Sequence, residues 1–222
     1  MRIRSTTVRL WRASLNRDYL YGSQGKGAQR AAWLQAAHAE LSSMRRRCYG
    51  VVLVDLVKAF ERVPHLKVLE AARRWGYPMW VLRLSLDAYR MTRVLSIDGA
   101  CSRVVQAARG LTAGSGFATE ELCCLMLNVL DEVRHEIPSA PAALYVDDAA
   151  VERAEADVTV ANNLVKAADI LAKGVDDVGL QLSDTKSVVL SNVVKVALFV
   201  AKKATVRGEP FLQVKRWTKD LG

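Results

Sequence analysis

Runs of β-branched apolar residues alternate along this chain with stretches in which apolar positions recur every three or four residues. Residues 51 to 54, Val-Val-Leu-Val, form a continuous apolar run that ends at Asp55, the pattern of a strand buried on both faces. Before it, Trp33, Ala36, Ala37, Leu41 and Met44 fall at helical spacing, which predicts an amphipathic helix over 28–47 with those residues on its apolar side. Pro64 and Pro78 are placed to open two helices, running to about 75 and 90, with Gly76 ending the first. Residues 92–111 read as two strands turning at Asp98-Gly99, the dipeptide favoured by type I′ hairpins.

Farther on, Leu122, Leu125, Met126, Val129 and Val133 mark one stripe of a long helix over 119–137, which Pro138 and Pro141 stop. The stretch APAALYVDDAAVERA has apolar arms on both sides of Asp147-Asp148 and predicts a tight hairpin with the two acids at its tip. A helix over 157–178 ends at Gly179, and two apolar runs, 188–191 and 193–201, predict two further strands. Taken in order, these elements predict an α+β fold with helices on one face of an antiparallel sheet.

At 222 residues and 51% apolar, the chain can fill the core of one large domain or two small ones. No apolar run reaches the roughly 18 residues of a membrane span. The basic N-terminus does not lead into an uninterrupted apolar stretch with a cleavage site. The expectation is a chain with no membrane partner, not secreted, in the nucleus or cytoplasm. Cys48, Cys101, Cys123 and Cys124 form no C-x-x-C pair and are expected to be reduced, buried thiols.

The net charge of +9 is unevenly spread: residues 1–50 hold ten Lys/Arg against two acids, and residues 201–222 hold six against two. The middle of the chain is slightly acidic. Such a distribution suits a polyanion held at the margins of a site that takes cations, and basic ends also serve solubility. Arg45, Arg46 and Arg47 close the predicted 28–47 helix, where positive charge also complements the helix dipole.

The acids carry the most specific chemistry. Asp55 ends a buried strand, and Asp147 and Asp148 sit at a hairpin tip 92 residues later. If those strands are neighbours, the carboxylates converge and repel, and a divalent cation relieves the repulsion. Mg²⁺ suits hard oxygen ligands of this kind. Two such ions about 3.5–4 Å apart can hold the attacking and leaving oxygens of an in-line phosphoryl displacement. Asp176-Asp177, by contrast, reads as a solvated turn.

These residues resemble the reverse transcriptases, and among them the type carried by non-LTR retrotransposons. VVLVDLVKAFERVPH is similar to that family's first palm motif, with Asp55 as the metal-binding aspartate and Phe60 as the aromatic five residues on. Tyr145, Asp147 and Asp148 match its Y-x-D-D motif, and GLQLSDTKS resembles a later turn that delivers a lysine, Lys186. YGSQGKGAQRAAWLQ resembles a fingers segment, and TKDLG the approach to the thumb. The resemblance implies an α+β polymerase palm over 51–200, partial fingers over 21–50, a basic segment over 1–20, and over 201–222 the start of a connection toward a thumb that is absent.

The activity it implies is RNA-directed DNA synthesis with two Mg²⁺ ions, or Mn²⁺ in their place, acting on an RNA template, a DNA primer and deoxynucleoside triphosphates. Asp55, Asp147, Asp148 and Lys186 would be catalytic, the three aspartates holding metal. Phe60, Arg109, Gly114 and Tyr145 would lie about the nucleotide. Lys26, Arg30, Arg45, Arg46 and Arg47 would face nucleic acid. The family's R-G-x-x-Q-G-x-x-x-S-P segment here reads from Arg109 to Thr119, with Ala113 in place of glutamine and Ala118-Thr119 in place of Ser-Pro. Ala113 cannot hydrogen-bond, so template positioning is the feature this departure touches. The alternative reading is an inactive nucleic-acid-binding remnant of such an enzyme.

Overall fold

The computed structural model describes residues 2–22, 26–112 and 114–215. Part of the glycine-rich segment, Ala113 and the terminal TKDLG lie outside the described residues. In chain order the elements begin with α1 (Arg2–Ser14), α2 (Ala28–Met44), β1 (Cys48–Val54), α3 (Ala59–Arg62), α4 (His65–Arg74) and α5 (Met79–Tyr89). A small hairpin follows, β2 (Ser96–Ile97) and β3 (Ala100–Cys101), then α6 (Ala118–Glu136), β4 (Ala142–Tyr145), β5 (Asp148–Glu155) and α7 (Asp157–Asp177). The chain continues through β6 (Val188–Ser191), α8 (Val194–Lys203), β7 (Thr205–Val206), β8 (Glu209–Pro210) and β9 (Gln213–Val214).

The contacts divide the chain into two compact units, one of residues 1–16 and 58–125, the other of residues 17–57 and 126–222. The second unit is built on a five-stranded sheet in the order β4-β5-β1-β6-β9, antiparallel throughout except for the β6–β9 pair. β1 lies at its centre, fully paired with β5 and over four residues with β6. That position explains its unbroken apolar run, since Val51, Val52 and Val54 are all buried.

Alternation along β1 assigns its residues to two faces. Gly50, Val52 and Val54 share the face covered by α7, and a Cβ on Gly50 would stand 2.7 Å from Leu164 Cδ1. Tyr49 and Val51 share the other face, where they cluster with Val188, Leu190 and Ala39 of α2. Trp33, Leu41 and Met44, on the expected apolar side of α2, are exposed. The helix buries its small residues, Ala39 and Ser42, because Tyr49 already fills the space beneath it.

One expected strand is a helix. Residues 194–201 fall within α8 and Val193 precedes it, with Val196, Ala197 and Val200 buried at helical spacing while Val194, Leu198 and Phe199 are exposed. β6 cannot run on through this segment because Ser191 and Asn192 turn the chain: Ser191 Oγ accepts the Val193 N–H (3.1 Å) and Asn192 Oδ1 accepts the Tyr49 N–H (2.8 Å). Lys202 and Lys203 then complement the dipole in the last turn.

The first unit is mostly helical. α1, which the pattern reading left as a basic segment, buries Val8 and Trp11, and Trp11 packs edge-on against Tyr77 with centroids 4.8 Å apart. The hairpin at Asp98-Gly99 forms as expected, both residues at positive φ, but its strands are two residues long and exposed. Cys48, Cys123 and Cys124 are buried free thiols, whereas Cys101 on β3 is exposed. No described helix is long and apolar enough to cross a membrane.

Candidate active site

Asp55 follows the last residue of β1, and the register of its neighbours fixes what stands beside it. β1 and β5 pair up to Val54 with Ala149, so the next rung sets Asp55 opposite Asp148. On the other side Leu53 pairs with Val188, and beyond that pair the neighbouring chain turns, so that the next bridge joins Leu56 to Leu182. Lys186 Nζ lies 3.5 Å from Asp55 Oδ2. By alternation, Asp55 and Asp148 share the face of the sheet that carries Tyr49 and Val51. Asp55 is largely sheltered, its side chain 21% exposed, while that of Lys186 is 71% exposed.

Tyr145 pairs with Asp148, so Val146 and Asp147 form a two-residue turn between β4 and β5. Val146 has φ 61°. For a β-branched residue this left-handed conformation is strained, and such strain collects where a turn is held for a purpose beyond stability. Burial pushes the Asp148 carboxyl above its ordinary range, and the charges of Asp147 and Asp55 push it in the same direction, while Lys186 opposes them. Asp147 and Asp55 therefore both act on Asp148 at the strand ends. Among the described residues, no three or more His, Cys, Asp or Glu side chains are drawn closely enough to hold a metal ion as they stand.

Two serines that the sequence reading passed over set the geometry. The Asp55 N–H donates to Ser187 Oγ at 3.3 Å, and the Ser183 N–H donates to the Asp55 carbonyl at 2.8 Å. Ser183 Oγ also accepts the Lys186 N–H (3.2 Å), which shapes the turn that presents the lysine. The signal was present in S-D-T-K-S, hydroxyls spaced to close a turn before an apolar run.

The other expected residues fall elsewhere. Phe60, Arg109 and Gly114 belong to the first unit, where the Leu111 N–H donates to the Phe60 carbonyl (2.7 Å). Gly110, at φ 97°, lets the chain pass close to Glu61, whose carbonyl would stand 3.0 Å from a Cβ there. Arg109 is exposed, as is Gly114 at φ 83°. Ser115, just beyond, lies 2.9 Å from the Tyr89 hydroxyl, which donates to the buried Glu121 at 2.7 Å.

In the second unit, Lys26 Nζ donates to the Asp18 carbonyl (2.9 Å) and sits over the Tyr21 ring. Arg30 is exposed at the start of α2, and Arg45, Arg46 and Arg47 are exposed at its end, beside Cys48. From Cys48 to Asp55 is seven residues of strand, about 23 Å, so the three arginines occupy the opposite end of the sheet from the carboxylates.

A profile of the family described as reverse transcriptase (RNA-dependent DNA polymerase) matches residues 4–210. No curated protein matches the sequence. Among solved structures the chain resembles an apo telomerase from Candida tropicalis, truncated from its C-terminal domain, at 10% identity and a TM-score of 0.61. That likeness covers 86% of this chain and 40% of the telomerase chain, and it concerns the fold.

Proposed function

The chain belongs to the reverse transcriptase (RNA-dependent DNA polymerase) family, and on that premise we propose that it carries the nucleotidyl-transfer centre of an RNA-directed DNA polymerase of the non-LTR retrotransposon type. Its substrates are a DNA primer 3′-hydroxyl, an RNA template and deoxynucleoside triphosphates. What supports the reading is that the register sets Asp55 opposite Asp148, with Asp147 in the adjoining turn, and that the charges of Asp147 and Asp55 both raise the Asp148 carboxyl. Three hard oxygen donors that repel one another suit Mg²⁺, with Mn²⁺ as a substitute. When bound there, the ions supply charge neutralisation at the attacking and leaving oxygens.

The protein's own part is positioning. Asp55 and Asp147, with Asp148 beside them, hold the cations, and the Ser183 and Ser187 hydrogen bonds keep Asp55 in place. Lys186 exchanges its partner from Asp55 to the departing pyrophosphate, whose charge it neutralises or protonates. Phe60 packs under the sugar and excludes a 2′-hydroxyl. Arg109, Gly114 and Tyr145 line the nucleotide's surroundings. Lys26, Arg30, Arg45, Arg46 and Arg47 contact nucleic acid, and the palm lies within 51–200.

Primer extension on an RNA template with Mg²⁺ tests the assignment by comparing the native chain with Asp147→Ala. The expected loss is at least about 100-fold, since removing a charge-stabilising group from a transfer centre costs of that order. Extension that survives Asp147→Ala would sink the catalytic reading. Extension by neither chain, with RNA binding retained in both, assigns the protein to the inactive, nucleic-acid-binding alternative.

A further inference from the structure

At the end of the sheet away from the carboxylates, the C-terminus of α2, the start of β1, the end of β5 and the segment before β4 enclose a cavity of about 240 Å³. It lies on the same sheet face as Asp55, since Tyr49 and Glu152 form part of its floor. Arg45, Arg47 and Arg153 line it, together with one acid, Glu152. That acid is already engaged within the protein: Tyr49 O–H donates to its Oε2 at 2.6 Å and His38 Nδ1 lies 2.9 Å from its Oε1.

The three arginines stand differently. Arg153 pairs with Gly50, so its side chain belongs to the α7 face and only borders the cavity, its terminal nitrogens donating to the Ser139 carbonyl and to Glu155. The guanidinium groups of Arg45 and Arg47 have no ion-pair or hydrogen-bond partner among the described residues, and both residues are exposed. Leu41 and Pro141 add an apolar wall. Two unpaired planar cations at one cavity, with its single acid internally satisfied, form a receptor for a multi-oxygen anion. The volume admits one such group and part of what carries it, not a long polymer segment.

We propose that this cavity is a phosphate-binding site for a single nucleotide, separate from the carboxylate end of the sheet. The phosphate belongs either to a free nucleotide or to the 5′ end of an RNA strand; the recognising chemistry is the same. Arg45 and Arg47 close on the phosphate oxygens, and the apolar wall receives the sugar or base. This does not depend on metal, because it uses none of Asp55, Asp147 or Asp148, and it narrows the nucleic-acid contact proposed above for Arg45 and Arg47 to a single phosphate.

Binding is measured by calorimetry in EDTA, which removes any metal-dependent binding at the carboxylates. The probes are adenosine 5′-monophosphate, adenosine, and a short RNA with a 5′-phosphate or a 5′-hydroxyl. Phosphorylated probes are expected to bind and unphosphorylated ones not. Arg45→Gln with Arg47→Gln is expected to weaken binding about tenfold for each guanidinium lost. Both positions are on the surface, so circular dichroism should show an unchanged fold. The control is Lys173→Gln with Lys195→Gln, which removes the same charge from the exposed surfaces of α7 and α8. It should leave binding unchanged.

Weakening confined to the monophosphate identifies a free nucleotide as the ligand, and weakening confined to the 5′-phosphorylated RNA identifies a strand end. Equal weakening by the arginine and lysine pairs would show only diffuse attraction and overturn the site. So would phosphorylated probes that bind the arginine variant as tightly as the native chain, or that bind neither.

Discussion

Asp148 stands where its charge works against the stability of the fold. Its carboxyl is pushed up by burial first and by Asp147 and Asp55 second. An acid whose folded pKa is raised weakens the fold once ionised: the penalty is full above its folded pKa and absent below its ordinary value of 3.8. Asp148→Asn should therefore raise the melting temperature at pH 7 in the absence of divalent ions, by on the order of 1–2 °C once solvent screening of this open site is allowed for. The gain should vanish as the pH falls below the ordinary aspartate range. Melting curves at pH 7 and pH 3.5 check both signs, and a variant less stable than native at pH 7 would contradict the account. The acids were legible in the sequence because charge in an apolar run demands an explanation. Ser187 and Val146 were not, since a buried hydroxyl and a positive φ become informative only once register and turn geometry are known.

Among elements, α7 shows close packing overriding local preference. Gly174 sits inside this 21-residue helix, where alanine would ordinarily be preferred by about 1 kcal/mol. A Cβ there would stand 2.7 Å from Val129 Cγ1 and 2.8 Å from its Cγ2, and a valine in a helix has little rotameric freedom to retreat. Gly174→Ala should thus destabilise by a net of about 1–2 kcal/mol, overpacking outweighing propensity. Urea denaturation measures it, and a stabilised variant would show that α6 and α7 separate more easily than their contact suggests. The strongly periodic α6 and α7 and the DG hairpin were readable from spacing alone. α8 was not, because an apolar run of that length has no period to distinguish strand from helix, and the deciding signal was the Ser191-Asn192 turn before it. The apolar stripe of α2 misled for the opposite reason: its periodicity is real, but only small residues, Ala39 and Ser42, are fully buried, while Trp33, Leu41 and Met44 are exposed.

For the molecule as a whole, the excess of positive charge predicts how it meets nucleic acid. With a net +9 and basic residues concentrated before residue 51, binding to short single-stranded RNA should fall roughly tenfold between 50 and 200 mM salt if two or three phosphates are neutralised. A fluorescence titration at several salt concentrations gives the slope, and salt-independent binding would rule out an electrostatic footprint.

The central position of β1 also governs when the second unit can exist at all. Its partners arrive late: Val54 pairs with Ala149, and Gly50 with Ser191. On a ribosome adding about 5–20 residues per second, the strand that leads into Asp55 waits on the order of ten seconds before its second neighbour has even been made. Until then an apolar strand with open edges must be shielded from other chains. Because Lys186 and its turn follow the acids in the chain, a nascent segment that stops before them carries Asp55 and Asp148 without the lysine that pairs with Asp55. The carboxylate end of the sheet is therefore assembled only after residue 191 has been made.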